Sequence, residues 1–301
     1  MVQSLITALL LGIISTPTVI PVPGAGMESI SIAPLAESIP VARHLSASGV
    51  LVMDVTSGQR VFGRQVTTER SMASLTKLMT ALIIVENHDL GEGTVIPEGI
   101  EEVIGNRAYL NPGEHFRIGD LLSAMLIPSA NDAARTLARY HSGSVQKFVA
   151  EMNARAVELG LKHTSFENPD GLDGIKQYST PQDVAWLTMY VLRNPEIARR
   201  MSTTGLRIVS QEGTIIPLTH SHVLLHSRPE VLAGKTGTTD GAGECLVTLV
   251  TSHGKEYIVV LMNSLQRYTD LETILSALAA SAPARVATTQ VKILENVQTT
   301  Q

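Results

Sequence analysis

The 301-residue chain has a single cysteine, Cys245, and charged side chains make up only 17% of it. One thiol forms no intrachain disulfide, so this is not a disulfide scaffold, and clusters of cysteine thiolates around a metal are excluded. A positive excess is missing as well: 23 Lys and Arg stand against 28 Asp and Glu, a formal net charge of −5, which removes the electrostatic footprint of a nucleic-acid binder. Charge this far below the roughly 25% of ordinary soluble domains argues against disorder, and the length provides a sizeable core. Long apolar runs are lacking too. Leu5 to Ile14 is short of the roughly 20 residues of a membrane span but suits the centre of an export signal. The basic start of such a signal is absent, since the first Lys or Arg is Arg43. We expect residues 1–27 to be an export signal or N-terminal membrane anchor, with a Ser, Ala and Pro-rich linker over 28–46. A folded domain over 47–285 and a tail over 286–301 would follow.

The remaining chain is patterned. Gly49 to Val55, Ser57-Gly58 and Arg60 to Arg64 predict a β-hairpin. From Ser74 to Glu86 the residues are apolar nearly all round at helical spacing, which predicts a buried helix. Further helices are expected at Asp120 to Leu126, at Ala130 to Tyr140 stopped by Ser142-Gly143, and at Val145 to Leu159 closed by Gly160. Thr180 before Pro181 and Asn194 before Pro195 predict two more helix starts, the first for the segment holding Trp186. Strand character returns at Val231 to Lys235, Glu244 to Thr251 and Tyr257 to Met262, the last two joined by a turn at Ser252 to Lys255. A last helix is expected over Asp270 to Ala280. Strands at both ends with helices between them predict an α/β (α+β) fold: one sheet built from the two extremities, flanked by helices, with a helical insertion.

Three short segments carry chemistry. In Ser74-Leu75-Thr76-Lys77, hydroxyl and amine share a face at helical spacing. A serine at a helix N-terminus has backbone N–H groups and a positive dipole end nearby, which favours an oxyanion. Lys77 sits in the middle of an apolar helix, where an unpaired ammonium is costly, so its neutral amine becomes available as a base. The spacing alone is weak, because it recurs at Ser144/Lys147, a helix cap, and at Ser252/Lys255, a polar turn. Pro128-Ser129-Ala130-Asn131-Asp132 stands at a helix start, where Ser, Asn and Asp are also ordinary caps. In Gly234-Lys235-Thr236-Gly237-Thr238, at the end of an apolar strand, Gly237 permits close backbone approach and Lys235 can neutralise a carboxylate.

In this order the segments form the Ser-x-x-Lys, Ser-x-Asn and Lys-Thr-Gly pattern of penicillin-recognising serine enzymes. From Ala47 to Leu265 the chain resembles the low-molecular-mass penicillin-binding proteins, the D-alanyl-D-alanine carboxypeptidases. Supporting stretches are Tyr109 to Glu114, Leu121 to Ala134, Asn168 to Asp173, Ser179 to Asp183 and Ala242 to Leu246. The resemblance implies a β-lactamase/transpeptidase-like fold and an extracytoplasmic site of action, in the periplasm or cell wall. It implies a serine-type D-Ala-D-Ala carboxypeptidase that cleaves peptidoglycan stem peptides through an acyl-enzyme on Ser74 and is acylated by β-lactams. Lys77 would be the base. Ser129 would relay a proton to the leaving amine, held by Asn131, whose amide would also contact the substrate backbone. Lys235 would attract the terminal carboxylate and help keep Lys77 neutral, and Thr236 and Thr238 would hydrogen-bond that carboxylate. Backbone N–H groups of Ser74 and Thr238 would form the oxyanion hole. No metal and no cofactor would be required.

The chain also departs from the family. His220-Ser221-His222 stands where relatives often have an Asn-Thr-Asn-like stretch; with His226 it raises a metal site as a minor alternative. The chain after Leu265 leaves little beyond one helix for the β-rich C-terminal domain of many relatives, so any anchoring would fall to the N-terminal apolar run. A D,D-endopeptidase uses the same residues. A β-lactamase needs a carboxylate that positions water, for which Glu167 is the candidate. A catalytically inactive cell-wall binding protein is the alternative of a different class.

Overall fold

The computed structural model describes residues 44–281; the expected leader over 1–27, the linker up to residue 43 and the tail from residue 282 on lie outside the described residues. In chain order the elements are β1 (Gly49–Asp54), β2 (Arg60–Arg64), α1 (Lys77–Asn87), β3 (Gly93–Val95), β4 (His115–Arg117), α2 (Ile118–Leu126), α3 (Asn131–Ser142) and α4 (Val145–Glu158). They continue with α5 (Pro181–Val191), α6 (Pro195–Ser202), β5 (Gly205–Val209), β6 (Ile215–Thr219), β7 (Val231–Thr239), β8 (Gly243–Ser252), β9 (Lys255–Ser264) and α7 (Arg267–Ala280).

Five strands form one antiparallel sheet in the order β2-β1-β9-β8-β7. The first and last parts of the described chain therefore meet at β1 and β9, where Leu51 pairs with Val260, as the strand distribution predicts. Side chains alternate across the sheet with period two. Leu51, Met53, Val247, Ile258 and Val260 join the larger core that holds α1, α2 and α3. Val50, Val52, Leu246, Val250, Val259 and Leu261 join a smaller core with Leu271, Ile274 and Leu278 of α7. Helices on both faces explain why these strands read as unbroken apolar runs, although antiparallel sheets commonly leave one face wet. The closure is stapled by Asp270. Its buried carboxylate accepts the N–H groups of Ser46 (2.7 Å) and Ala47 (2.9 Å) and the hydroxyls of Ser46 (2.8 Å) and Ser264 (2.7 Å).

Helix starts follow the local chemistry. Ser144, Thr180 and Asn194 each accept a first-turn N–H, and proline follows the last two. α1 is buried from Lys77 to Ile84, which its all-round apolar sequence requires. Two expectations are corrected. Ser74 lies in a 3₁₀ turn, Ala73–Thr76, and the α-helix begins only at Lys77. β7 does not stop at Lys235 but runs through Thr236, Gly237 and Thr238, so this motif is strand and not strand end. The β5–β6 hairpin was not anticipated; it carries Pro217, which is tolerated here in a sheet of two strands.

Candidate active site

A cavity of about 250 Å³ opens beside β7. Ser74, Ser129, Asn131, Thr236, Gly237 and Thr238 line it, while Lys77 and Lys235 are wholly buried behind those side chains. All the site residues expected from the sequence thus come to one place.

The Ser74 turn is held under tension. Ala73 before it is left-handed at φ 47°, a conformation that costs of order 1 kcal/mol for a residue with a Cβ and persists only where packing imposes it. The packing is visible. The Thr76 hydroxyl donates to Ala73 O at 2.9 Å and accepts Gln177 Nε2–H at 3.0 Å. Gly171, at φ 88°, presses so closely on the Ala73 carbonyl that no side chain fits there. From the other side Gly237 of β7 approaches the same turn, and a Cβ on it would lie 2.6 Å from Ser74 N. β7 is an edge strand of the sheet, so backbone groups on its outer side are open to this turn and to the cavity.

Lys77 Nζ lies 2.9 Å from Ser74 Oγ, 2.6 Å from Asn131 Oδ1 and 2.5 Å from the main-chain oxygen of Asp170. Burial brings its pKa down to about 8 against the opposing charges of Asp170 and Asp132. Two of the three partners are carbonyl oxygens, which only accept. When the amine is neutral its two N–H groups serve those oxygens, and its lone pair is left facing the Ser74 hydroxyl. Asn131 and Asp170 therefore aim the amine.

Ser129 is also left-handed, at φ 71°, and is no helix cap: the flanking residue of α3 is Ala130. Its hydroxyl accepts from Lys235 Nζ at 2.6 Å. Asn131 does not hold Ser129, a correction. Its carbonyl faces Lys77, and its Nδ2 donates to Ile104 O at 2.8 Å. The neighbouring Asp132 accepts the N–H groups of Ala108 (3.0 Å) and Leu110 (3.2 Å), fixing the loop beside the site. Lys235 is pushed well below the ordinary lysine range by burial first, then by the charges of Lys77 and Arg267. The expected like-charge effect thus falls on Lys235, whereas burial governs Lys77.

Sequence reasoning missed two contributors. Arg267 lines the cavity and donates from Nη1 to Gly237 O (2.7 Å) and Thr238 Oγ1 (2.9 Å). A cation at the first residue of a helix opposes the dipole, and that mismatch was the available signal. Asp170 acts through its main-chain oxygen, while its buried carboxylate pairs with Arg135 Nε at 2.5 Å; a backbone acceptor leaves no trace in residue identity. Glu167 does not line the cavity. His220 and His222 are buried, and among the described residues no group of three or more His, Cys, Asp or Glu side chains is arranged to hold a metal.

Fold and cleft together define a class, the penicillin-recognising serine hydrolases. The chain matches the family described as peptidase S11, D-alanyl-D-alanine carboxypeptidase, over residues 36–266. It is 30% identical over 226 residues to the D-alanyl-D-alanine carboxypeptidase DacF of Bacillus subtilis, covering 73% of this chain and 58% of that one. It is 29% identical over 237 residues to a D-alanyl-D-alanine endopeptidase of Pseudomonas aeruginosa, covering 77% and 76%. The crystal structure of the Streptomyces K15 DD-transpeptidase superposes with a TM-score of 0.73 at 27% identity, covering 78% of this chain and 97% of that one. The chain belongs to the D-alanyl-D-alanine carboxypeptidase family of serine peptidases.

Proposed function

We propose that the chain removes the terminal D-alanine from peptidoglycan stem peptides, acting outside the cytoplasmic membrane through an acyl-enzyme on Ser74. The observation that carries this reading is the wholly buried Lys77 amine 2.9 Å from the Ser74 hydroxyl, with its other contacts made to carbonyl oxygens. Neutral Lys77 takes the Ser74 proton as Oγ attacks the peptide carbonyl before the last D-alanine. The backbone N–H groups of Ser74 and Thr238 face the developing oxyanion. Ser129, with Lys235 donating to it from behind, hands a proton to the leaving amine. Lys235, Thr236 and Thr238 bind the terminal carboxylate, and Arg267 adds its guanidinium charge on that wall. Water then releases the acyl group. β-Lactams enter the same cleft and acylate Ser74.

Rapid β-lactam turnover is disfavoured because Asp170, the only acidic residue lining the cavity among the described residues, has its carboxylate buried on Arg135. The endopeptidase reading is kept open by the Pseudomonas relative. Association with the membrane through residues 1–27 remains part of the proposal; among the described residues no helix is long and apolar enough to cross a membrane. Incubation with a pentapeptide ending in D-Ala-D-Ala tests the reading: free D-alanine is expected. Cleavage of cross-linked dimers without D-alanine release assigns the endopeptidase instead, and neither product, despite stable penicillin labelling, assigns a binding role.

A further inference from the structure

Two buried imidazoles flank a serine on the cavity wall. His220 is 4% exposed and His222 fully buried, and His220 Nε2 and both ring nitrogens of His222 lack a hydrogen-bond partner among the described residues. The fourth nitrogen is engaged: His220 Nδ1 accepts the backbone N–H of His222 at 3.0 Å. An accepting Nδ1 is unprotonated, so the neutral ring carries its proton on Nε2. Reaching the N–H two residues on is what an Asn or Asp side chain does in an Asx turn. Here an imidazole closes that turn.

The turn clamps Ser221 between. Its N–H donates to Ile127 O at 3.0 Å, and its carbonyl accepts from the Tyr268 hydroxyl at 2.9 Å. Its own hydroxyl lies 2.6 Å from Thr236 Oγ1 and lines the cavity. The two hydroxyls own two protons and use one between them. The other is free to donate into the cavity, polarised by the bond behind it. We propose that Ser221 is a substrate-contacting residue of the carboxylate-binding wall, paired with Thr236, and that His220 is the positioning residue that holds it there as a neutral acceptor. This rests on the carboxypeptidase reading. The charged and titratable groups facing His220 are Lys235, His222 and His226; burial, then the Lys235 charge, hold its pKa down to about 3, so the turn persists through the working pH range.

The test uses the full chain labelled with ¹⁵N-histidine, with His220 identified by its loss in His220→Asn. At pH 7 an unprotonated Nδ1 and a protonated Nε2 are expected; a protonated Nδ1 overturns the proposal whatever the enzyme does. In steady-state kinetics on the pentapeptide, His220→Leu, which keeps an apolar fill but removes the acceptor, is expected to raise KM about tenfold with kcat changed less than about threefold. His220→Asn, which restores an Asx acceptor, is expected to stay within about threefold of wild type. A folded His220→Leu with unchanged KM, or His220→Asn failing as badly as His220→Leu, overturns the assignment. Ser221→Ala is expected to reproduce the His220→Leu rise in KM, and an unchanged KM removes Ser221 from the wall. If the wild-type chain releases no D-alanine, the carboxypeptidase reading has failed, and the same comparison of variants is read on the penicillin acylation rate.

Discussion

Ser74/Lys77 and Ser144/Lys147 present the same residues at the same spacing, and the structure makes opposite things of them. Ser144 caps α4, its hydroxyl accepting the Lys147 N–H at 3.2 Å, and Lys147 extends into solvent. Ser74 caps nothing. It sits half-buried in a strained turn with the Lys77 amine on its hydroxyl and carbonyl oxygens on the far side of that amine. An exposed ammonium stays charged and is no base near neutral pH. A desolvated one, offered only acceptors that fix its direction, can give up its proton and aim the lone pair. Spacing brings hydroxyl and amine to one face, but it is burial that fits the pair for the proposed acyl transfer.

The comparison can be broken most severely at its reactive member. Ser74→Ala is expected to abolish labelling by a fluorescent penicillin, and Lys77→Ala to lower the acylation rate by about 10³-fold or more, a larger loss than for Lys235→Ala. Lys147→Ala should leave that rate unchanged. If Lys235→Ala proves the more damaging, the roles of the two buried lysines have been exchanged. Next in size is Gly237→Ala, whose Cβ would press on Ser74 N. Displacing the turn by a few tenths of an ångström is expected to cost about 10²-fold in acylation while the protein stays folded by circular dichroism.

A pH profile sharpens the contrast further. The proposed mechanism needs neutral Lys77, whose pKa burial brings to about 8, so the acylation rate should climb about tenfold per pH unit below that value and level off above it. A rise continuing to pH 10 would mean that Lys77 behaves like an exposed lysine. The smallest effect belongs to the structural member. Ser144→Ala should cost about 1 kcal/mol in denaturant unfolding, as lost caps do, with acylation unaltered.

Much of the site was legible because it is written in residue types that local physics constrains. Lys77 stands out in a run of apolar residues, Ser144, Thr180 and Asn194 announce their helices, and Gly237 marks a close approach. What escaped notice has no such signature. The Asp170 oxygen belongs to the backbone, and Asn131 turned toward Lys77 because its amide was needed there, not at Ser129. The continuation of β7 through Thr-Gly-Thr was hidden because glycine is depleted from strands and reads as a turn, and pairing with β8 is what extends it. The burial of His220 and His222 could not be read either, since a polar ring gives no hint of which neighbours will cover it.

By itself the sequence determined most of the helices and the strands of the main sheet, its closure by the two extremities, and which side chains could carry reactive groups. These follow from periodicity, capping and composition, which act over a few residues at a time. Only the tertiary structure decided which serine meets a dry amine, which carbonyls aim it, and that Arg267 and Ser221 join the opposite wall. Those properties depend on exclusion of water and on groups distant along the chain, so they come into being only when the elements pack.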